Sequence, residues 1–170
     1  MKEIKVEKIT LNIGTGKPGP ELEKGMILLK AITDKKPCET KTKKRIPGWS
    51  LRPGLAIGCK VTIRGEEAKK LLVRLLAAIE NRVSIHVFDK QGNFSFGVPE
   101  YLEIPDMDYI PEVGIIGLEV AVTLQRAGFR VKSRSQKRRK VPQRHRISKE
   151  ESLEYAKKEF KIKIKEEEEE

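Results

Sequence analysis

The residue types that most often do chemistry are sparse in this chain and lie in unhelpful company. Its two histidines are His86, inside an apolar alternating run, and His145, inside a basic stretch, and neither has a nucleophile or an acid partner nearby in sequence. His86 reads as a strand residue on the polar face of a sheet, and His145 as one more donor facing a polyanion. No pair of carboxylates stands out as acid and base. The loop Gly14-Thr15-Gly16-Lys17 follows a strand pattern and precedes a helix pattern, as phosphate-cradling loops do. A nucleotide-binding loop needs four residues between its first glycine and a Gly-Lys pair, then Ser or Thr for magnesium. Here Pro18 follows Lys17, so nucleotide hydrolysis is set aside. Cys38 and Cys59 lack companion Cys or His at ligand spacing and read as two small buried or half-buried thiols. No cofactor, no metal and no enzymatic activity are expected.

What remains is charge. Between Arg130 and Lys149 the chain carries Arg130, Lys132, Arg134, Lys137, Arg138, Arg139, Lys140, Arg144, Arg146 and Lys149 without one acidic residue. Cations at that density displace counterions from phosphates, which supplies most sequence-independent affinity for nucleic acid. Arg130, Lys132, Arg134, Arg138, Arg139 and Arg144 are therefore candidate RNA contacts. A solvated tail that only keeps the protein soluble is the alternative. Val131, Val141, Pro142 and Ile147 interrupt the run, however, and it passes directly into a capped helix, which favours a segment that orders on RNA.

A second basic run, Lys35, Lys36, Lys41, Lys43, Lys44, Arg45 and Arg52, surrounds the only tryptophan, Trp49, among Pro47, Gly48, Pro53 and Gly54. Two readings of Trp49 stand side by side: partial burial beneath its own loop, with Ile46, Leu51 and Leu55 nearby, or contact with RNA by stacking or by packing on a sugar.

The formal net charge is +11, and five of the acids sit together in Glu166 to Glu170, so the rest of the chain is more basic than the total implies. An anionic membrane surface would attract the same charges. No strong basic amphipathic helix is visible, no apolar stretch approaches the roughly 20 residues of a membrane span, and Met1-Lys2-Glu3-Ile4-Lys5 has no signal-peptide core. A cytosolic protein without a membrane partner is expected.

The elements that must carry these residues follow from periodicity. Ile9, Leu11 and Ile13 alternate with Lys8, Thr10 and Asn12, the pattern of a strand with one buried face. Ile4 and Val6 hold the opposite parity, which places a bulge near Glu7. After the loop from Gly14 to Pro20, Leu22, Met26, Leu29 and Ile32 follow helical spacing, with Gly25 as an internal weakness. A short Thr-rich strand from Pro37 to Lys43 pairs across a long hairpin loop with a strand whose Ile57, Cys59, Val61 and Ile63 face inward and Lys60, Thr62 and Arg64 outward. Gly65 ends it. Glu66 and Glu67 open a helix with the apolar stripe Leu71, Leu72, Leu75, Leu76 and Ile79, and acids in the first turn suit the helix dipole.

Val83, Ile85 and Val87 alternate as a further strand; a turn at Asp89 to Asn93 leads to Phe94 and Phe96. Pro99 to Pro111 is irregular. Leu118, Val120, Val122 and Leu124 form another strand, with Glu119, Ala121, Thr123 and Gln125 outward. Ser148 and Glu151 form a capping-box pattern that opens a helix through Phe160.

The sum, in 170 residues, is a single α+β domain: an antiparallel sheet with helices on one face and an open RNA-binding face, ferredoxin-like or RRM-like in layout. Residues 1–162 form the domain, including the basic segment 130–149, and residues 163–170 an acidic, disordered tail. Asn12, Thr10, Lys60, Thr62 and Arg64 share the open face.

Laid in order, these segments resemble the archaeal form of ribosomal protein L-five, the large-subunit family that binds 5S ribosomal RNA. The resemblance rests on Glu7 to Gly14, Lys41 to Gly48, Ile57 to Gly65, Phe88 to Gly97, Gly114 to Val120, and Gly128-Phe129-Arg130-Val131 with the basic segment through His145. It runs from about Lys2 to about Phe160 and implies a structural RNA-binding component of the cytoplasmic ribosome. By resemblance the open face and its borders hold 5S rRNA at Asn12, Thr62, Arg64 and Glu119. The loop from about Lys44 to Gly54 would reach peptidyl-site (P-site) tRNA through Lys44, Arg45, Trp49 and Arg52. 23S rRNA, neighbouring central-protuberance ribosomal proteins and a small-subunit bridge protein are the further partners it implies. Many members read Thr-Gly-Gln-Lys-Pro where this chain has Thr33-Asp34-Lys35-Lys36-Pro37, so Lys35 would have to act through phosphate. A free RNA chaperone or translation factor with the same charges is the competing class; it would show weak selectivity and steep salt dependence.

Overall fold

The computed structural model describes residues 1–165. Five strands, β1 (Ile4–Gly14), β2 (Cys38–Lys41), β3 (Ala56–Ile63), β5 (Phe94–Val98) and β6 (Leu118–Arg126), form one antiparallel sheet in the order β2-β3-β1-β6-β5. The long central strand β1 is flanked by β3 and β6, so chain segments more than 100 residues apart lie side by side. The parity switch near Glu7 is real: the β1–β6 register shifts between Val6 and Lys8. A bulge there lets Val6 and Ile9 both face the core.

Helices α1 (Pro20–Thr33) and α2 (Glu66–Ala78) cover the inner face. Leu22, Leu28, Leu29 and Ile32 of α1, with Leu71, Leu72, Leu75 and Leu76 of α2, join Ile9, Leu11, Val61, Val120, Val122 and Leu124 in one core. Each fully buried side chain of this kind contributes roughly 1.5–3 kcal/mol relative to exposure. Gly25 is no weak point. A Cβ there would stand 3.0 Å from the Cys59 sulfur and 3.4 Å from Ile13 Cγ2, so glycine lets α1 press onto β1 and β3. Cys59 is buried and its thiol is pushed up to about 11 by burial. Cys38, by contrast, is exposed rather than half-buried. It lies opposite Lys60, one position out of register with Cys59, so the two thiols sit on opposite sheet faces.

Two elements depart from the periodic reading. Only Arg82–Ser84 of the expected 83–87 strand is extended (β4); Ile85–Val87 turns into a 3-10 helix, with Ser84 Oγ accepting from the His86 N–H at 3.4 Å. His86 is therefore an exposed turn residue and not a sheet-face residue. The folded part also extends past residue 162: β7 (Lys163–Lys165) pairs in parallel with β4, and the Lys163 N–H donates to the Asn81 carbonyl at 2.7 Å. The acidic run Glu166 to Glu170 lies outside the described residues.

Helix α3 (Lys149–Phe160) begins with the expected capping box. The Glu151 N–H donates to Ser148 Oγ at 3.2 Å, and the Ser148 N–H donates to Glu151 Oε2 at 3.0 Å.

Candidate nucleic-acid interface

Among the described residues, none covers the centre of the sheet face away from α1 and α2, whose outward side chains are exposed on four strands. Strand pairing sets Asn12 opposite both Lys60 and Glu119, and Thr10 opposite both Thr62 and Ala121. Gly97 and Ser95 continue these two rows on β5. Lys60, Thr62, Glu119, Ala121, Ser95 and Gly97 are exposed, and the small side chains on the β6 and β5 side leave the surface low enough for a flat partner to approach. Asn12 Nδ2 donates to Glu119 Oε2 at 3.1 Å. That bond fixes the amide so that its oxygen is left as an oriented acceptor. Arg64 follows β3 and pairs loosely with Glu7 at 3.4 Å while staying exposed, so its remaining guanidinium donors are free for phosphate or a base edge.

Lys35 is differently placed. Its ammonium is paired with Glu67 at the α1 and α2 ends, and that pairing, with a hydrogen bond as its largest cause, holds the Glu67 carboxyl below its ordinary range. A phosphate contact by Lys35 would have to compete with that carboxylate.

The two basic regions sit at opposite ends of the sheet. Strand β6, from Leu118 to Arg126, spans roughly 25 Å at about 3.3 Å per residue. At its Leu118 end lies the loop between β2 and β3. That loop folds back on itself: Ile46 and Leu51 exchange backbone hydrogen bonds at 3.1 Å, and the Thr42 and Leu55 backbones close its base at 2.9 Å. Leu51 is buried beneath it, whereas Trp49 is 72% exposed on a 3-10 turn, Pro47–Trp49, at the tip. Of the two readings of Trp49, burial therefore fails. Lys44, Arg45 and Arg52 are exposed around it.

At the Arg126 end lies the basic segment, which the structure shows folded and not free. Its arginines close their own loops: Arg134 Nε and Nη2 donate to the Lys137 carbonyl at 3.1 and 2.8 Å, and Arg138 Nε to the Lys132 carbonyl at 2.6 Å. Ile147 is buried against Gly92. His145 is held inward, its Nε2 2.9 Å from the Ala127 carbonyl and its ring edge-on to Phe129, so it serves as a fastener and not as an outward donor. Arg130, Lys132, Arg134, Arg138, Arg139 and Arg144 remain exposed.

The sequence reading missed the buried Arg126. Nη1 donates to the Arg146 carbonyl at 3.0 Å and Nη2 to Glu151 Oε1 at 2.7 Å, tying the basic segment to α3. It also missed an acidic lobe. No Lys or Arg occurs between Lys90 and Arg126, and the stretch from Pro99 to Gly117 exposes Glu100, Glu103, Asp106, Asp108 and Glu112 beside Leu102, Tyr109 and Ile115. The glycine loop after β1 is closed to phosphate at two of its amides, because the Thr15 and Gly16 N–H groups both donate to the Ile57 carbonyl at 3.0 Å. Among the described residues there is no cluster of His, Cys, Asp and Glu suited to a metal, and no helix long and apolar enough to cross a membrane.

Comparison with known proteins supplies the family to which this surface belongs. Residues 1–52 match the family model for ribosomal protein L5, and residues 56–155 match the model for the C-terminus of the same ribosomal family. The chain belongs to the ribosomal protein L5 family. A large ribosomal subunit protein uL5 from Nanoarchaeum equitans is 50% identical over 165 residues, covering 96% of this chain and 97% of that protein. The uL5 proteins of Sulfurisphaera tokodaii and Methanosphaera stadtmanae are 44% and 42% identical, covering 96% and 94% of this chain and 93% and 95% of theirs. The L5 match spans both basic regions and the open face together.

Proposed function

We propose that this L5-family chain is a non-enzymatic structural constituent of the large ribosomal subunit in the cytoplasm, and that its open sheet face docks folded 5S rRNA. The observation that carries the reading is the uncovered face itself. Asn12, Lys60, Thr62 and Arg64 present donors, an acceptor and charge on a rigid sheet, with the basic segment at the adjoining end. Sheet residues fix geometry, while Arg130, Lys132, Arg134, Arg138, Arg139 and Arg144 neutralise phosphates of 5S or 23S rRNA. Glu119 acts through Asn12, which it orients. The Trp49 loop, roughly a sheet's length away, is free to meet a second RNA, and P-site tRNA fits that role. The acidic lobe from Pro99 to Gly117 repels RNA and suits a basic protein surface, either a neighbour in the central protuberance or a small-subunit bridge protein.

Equilibrium binding to folded 5S rRNA and to an unrelated folded RNA of equal length, titrated across salt, tests the reading. Selectivity for 5S rRNA at physiological salt is the expected result; equal binding that collapses with salt would identify a nonselective chaperone. Asn12→Ala and Arg64→Ala should each weaken 5S binding by roughly 1–3 kcal/mol. Arg45→Ala and Trp49→Ala should leave it nearly unchanged and reduce tRNA retention on assembled ribosomes. Loss of 5S binding in the loop variants would overturn the division between face and loop.

A further inference from the structure

Where the basic segment folds back on the turn between residues 89 and 93, the two border a half-open cavity of about 220 Å³. Its apolar floor is Leu124, Phe129, Val141 and Ile147, and its rim carries Lys132, Lys140 and Arg146, with Gln91 and Asn93 along one side. Among the described residues no carboxylate lines it. We propose that this cavity receives one unstacked nucleotide of an RNA partner, with the base on the apolar floor and its phosphate on the lysine and arginine rim. The proposal rests on the reading of the basic segment as an RNA contact and makes it specific: the segment would take a bulged or looped-out nucleotide, where duplex phosphates alone would need only its charge.

Three observations support that occupant. The volume suits a single flat ring system and is too small for a folded peptide element. The Lys132 ammonium lies over the Phe129 ring, 4.9 Å from its centroid, so a cation is held at the apolar floor within reach of a phosphate attached to a base seated there. The amide of Asn93 is held at both ends, its oxygen accepting from the Leu124 N–H at 3.2 Å and its nitrogen donating to Asp89 Oδ2 at 2.9 Å, which fixes that wall. The Gln91 side chain has no such bonds among the described contacts and is exposed at the mouth, where it can meet a base edge. RNA-binding proteins recognise unpaired nucleotides by this combination of apolar floor, edge-reading amide and cationic rim.

The test uses the full chain and RNA hairpins carrying one bulged A, G, C or U, against the same hairpin fully paired, at physiological salt. At least one bulged hairpin should bind roughly fivefold to a hundredfold more tightly than the paired one, the range expected for placing one base. Val141→Phe fills the cavity without changing charge and should abolish that preference while leaving binding of the paired hairpin in place. In the unaltered protein, titration with the matching nucleoside monophosphate should shift the Leu124, Phe129 and Ile147 amide signals more than ribose 5-phosphate does, independently of whether the variant folds. Equal binding of bulged and paired hairpins, a preference that survives Val141→Phe, or identical shifts with ribose 5-phosphate would each overturn the cavity's role and leave the basic segment as a phosphate binder. Displacement of the hairpin by an oligo-glutamate peptide at equal concentration would overturn it in favour of an acidic protein partner. Failure to bind any of the hairpins would overturn the RNA reading of the segment itself.

Discussion

Gly92→Ala should lower the stability of this protein by about 2–5 kcal/mol and release the basic segment from the domain. Two independent costs meet at this position. The backbone is at φ +78°, where an L side chain is disfavoured by about 1–2 kcal/mol. The added methyl would also stand 2.5 Å from Ile147 Cγ2 and 3.0 Å from Ile147 Cβ, an overlap typical of overpacked cores that cost about 1–3 kcal/mol. Relief requires moving Ile147 or the turn itself, and Ile147 is the buried anchor of the segment from Arg130 to Lys149. The Gly92 carbonyl also accepts from the buried Ser152 hydroxyl at 2.6 Å, so a shifted turn pulls on α3 as well. Chemical denaturation measures the first effect, and tryptic cleavage within residues 130–149 under native conditions measures the second. A variant within about 0.5 kcal/mol of the parent, with unchanged cleavage, would show that the turn is softer than its geometry indicates.

That a turn glycine controls a basic segment some forty residues downstream illustrates what local sequence can and cannot carry. The strands are legible because a sheet face has period two. Ile9, Leu11 and Ile13, or Leu118, Val120, Val122 and Leu124, leave only one way to bury their apolar atoms, and the structure buries them that way. The capping box is legible for a similar reason: both of its partners lie within four residues. The same logic fails for Val83, Ile85 and Val87. Period two continues in the letters, yet Ser84 satisfies the His86 N–H through its own side chain and the backbone turns, with Ile85 and Val87 left half-buried.

Nonlocal facts were out of reach altogether. Strand order places β1 between β3 and β6 and so separates the Trp49 loop from the basic segment by the length of the sheet; nothing in either run of cations encodes that distance. The same applies to Lys35, whose acid partner is supplied by another helix. Of the candidate contacts, parity puts Asn12, Lys60, Thr62 and Glu119 each on the outward face of its own strand, but Glu119 joined the others through the family resemblance, and strand pairing is what sets it opposite Asn12. The acidic lobe did leave a signal, the absence of Lys and Arg from Gln91 to Gln125 in a chain of net charge +11, and a scan of charge by segment would have found it.

Arg126 is the second position where a large effect is expected, and the one at which pH tells a structural role from a direct RNA contact. Arg126→Met should destabilise the fold by roughly 2–4 kcal/mol, since two charge-assisted hydrogen bonds, to the Arg146 carbonyl and to Glu151, each contribute about 1.5–3 kcal/mol gross and the methionine recovers part of that by burial. The Glu151 carboxyl is held below its ordinary range, first by the hydrogen bond from the Ser148 N–H and then by Arg126. A depressed carboxylate pKa means that stability from these contacts is complete above the unfolded value near 4.5 and disappears as pH falls through the lower folded value. In the parent, that loss removes both the capping contact and the ion pair with Arg126. The variant has no ion pair to lose, so only the capping contact fades. The stability gap between the two proteins should therefore be widest at neutral pH and narrow as pH falls below the ordinary carboxyl value of 4.5 and through the lower folded one, leaving the remainder due to the Arg146 carbonyl. Denaturant titrations across that range read the gap directly. A gap that stays constant would mean that Glu151 contributes through its helix cap alone, and that Arg126 holds the basic segment to the domain through the Arg146 carbonyl.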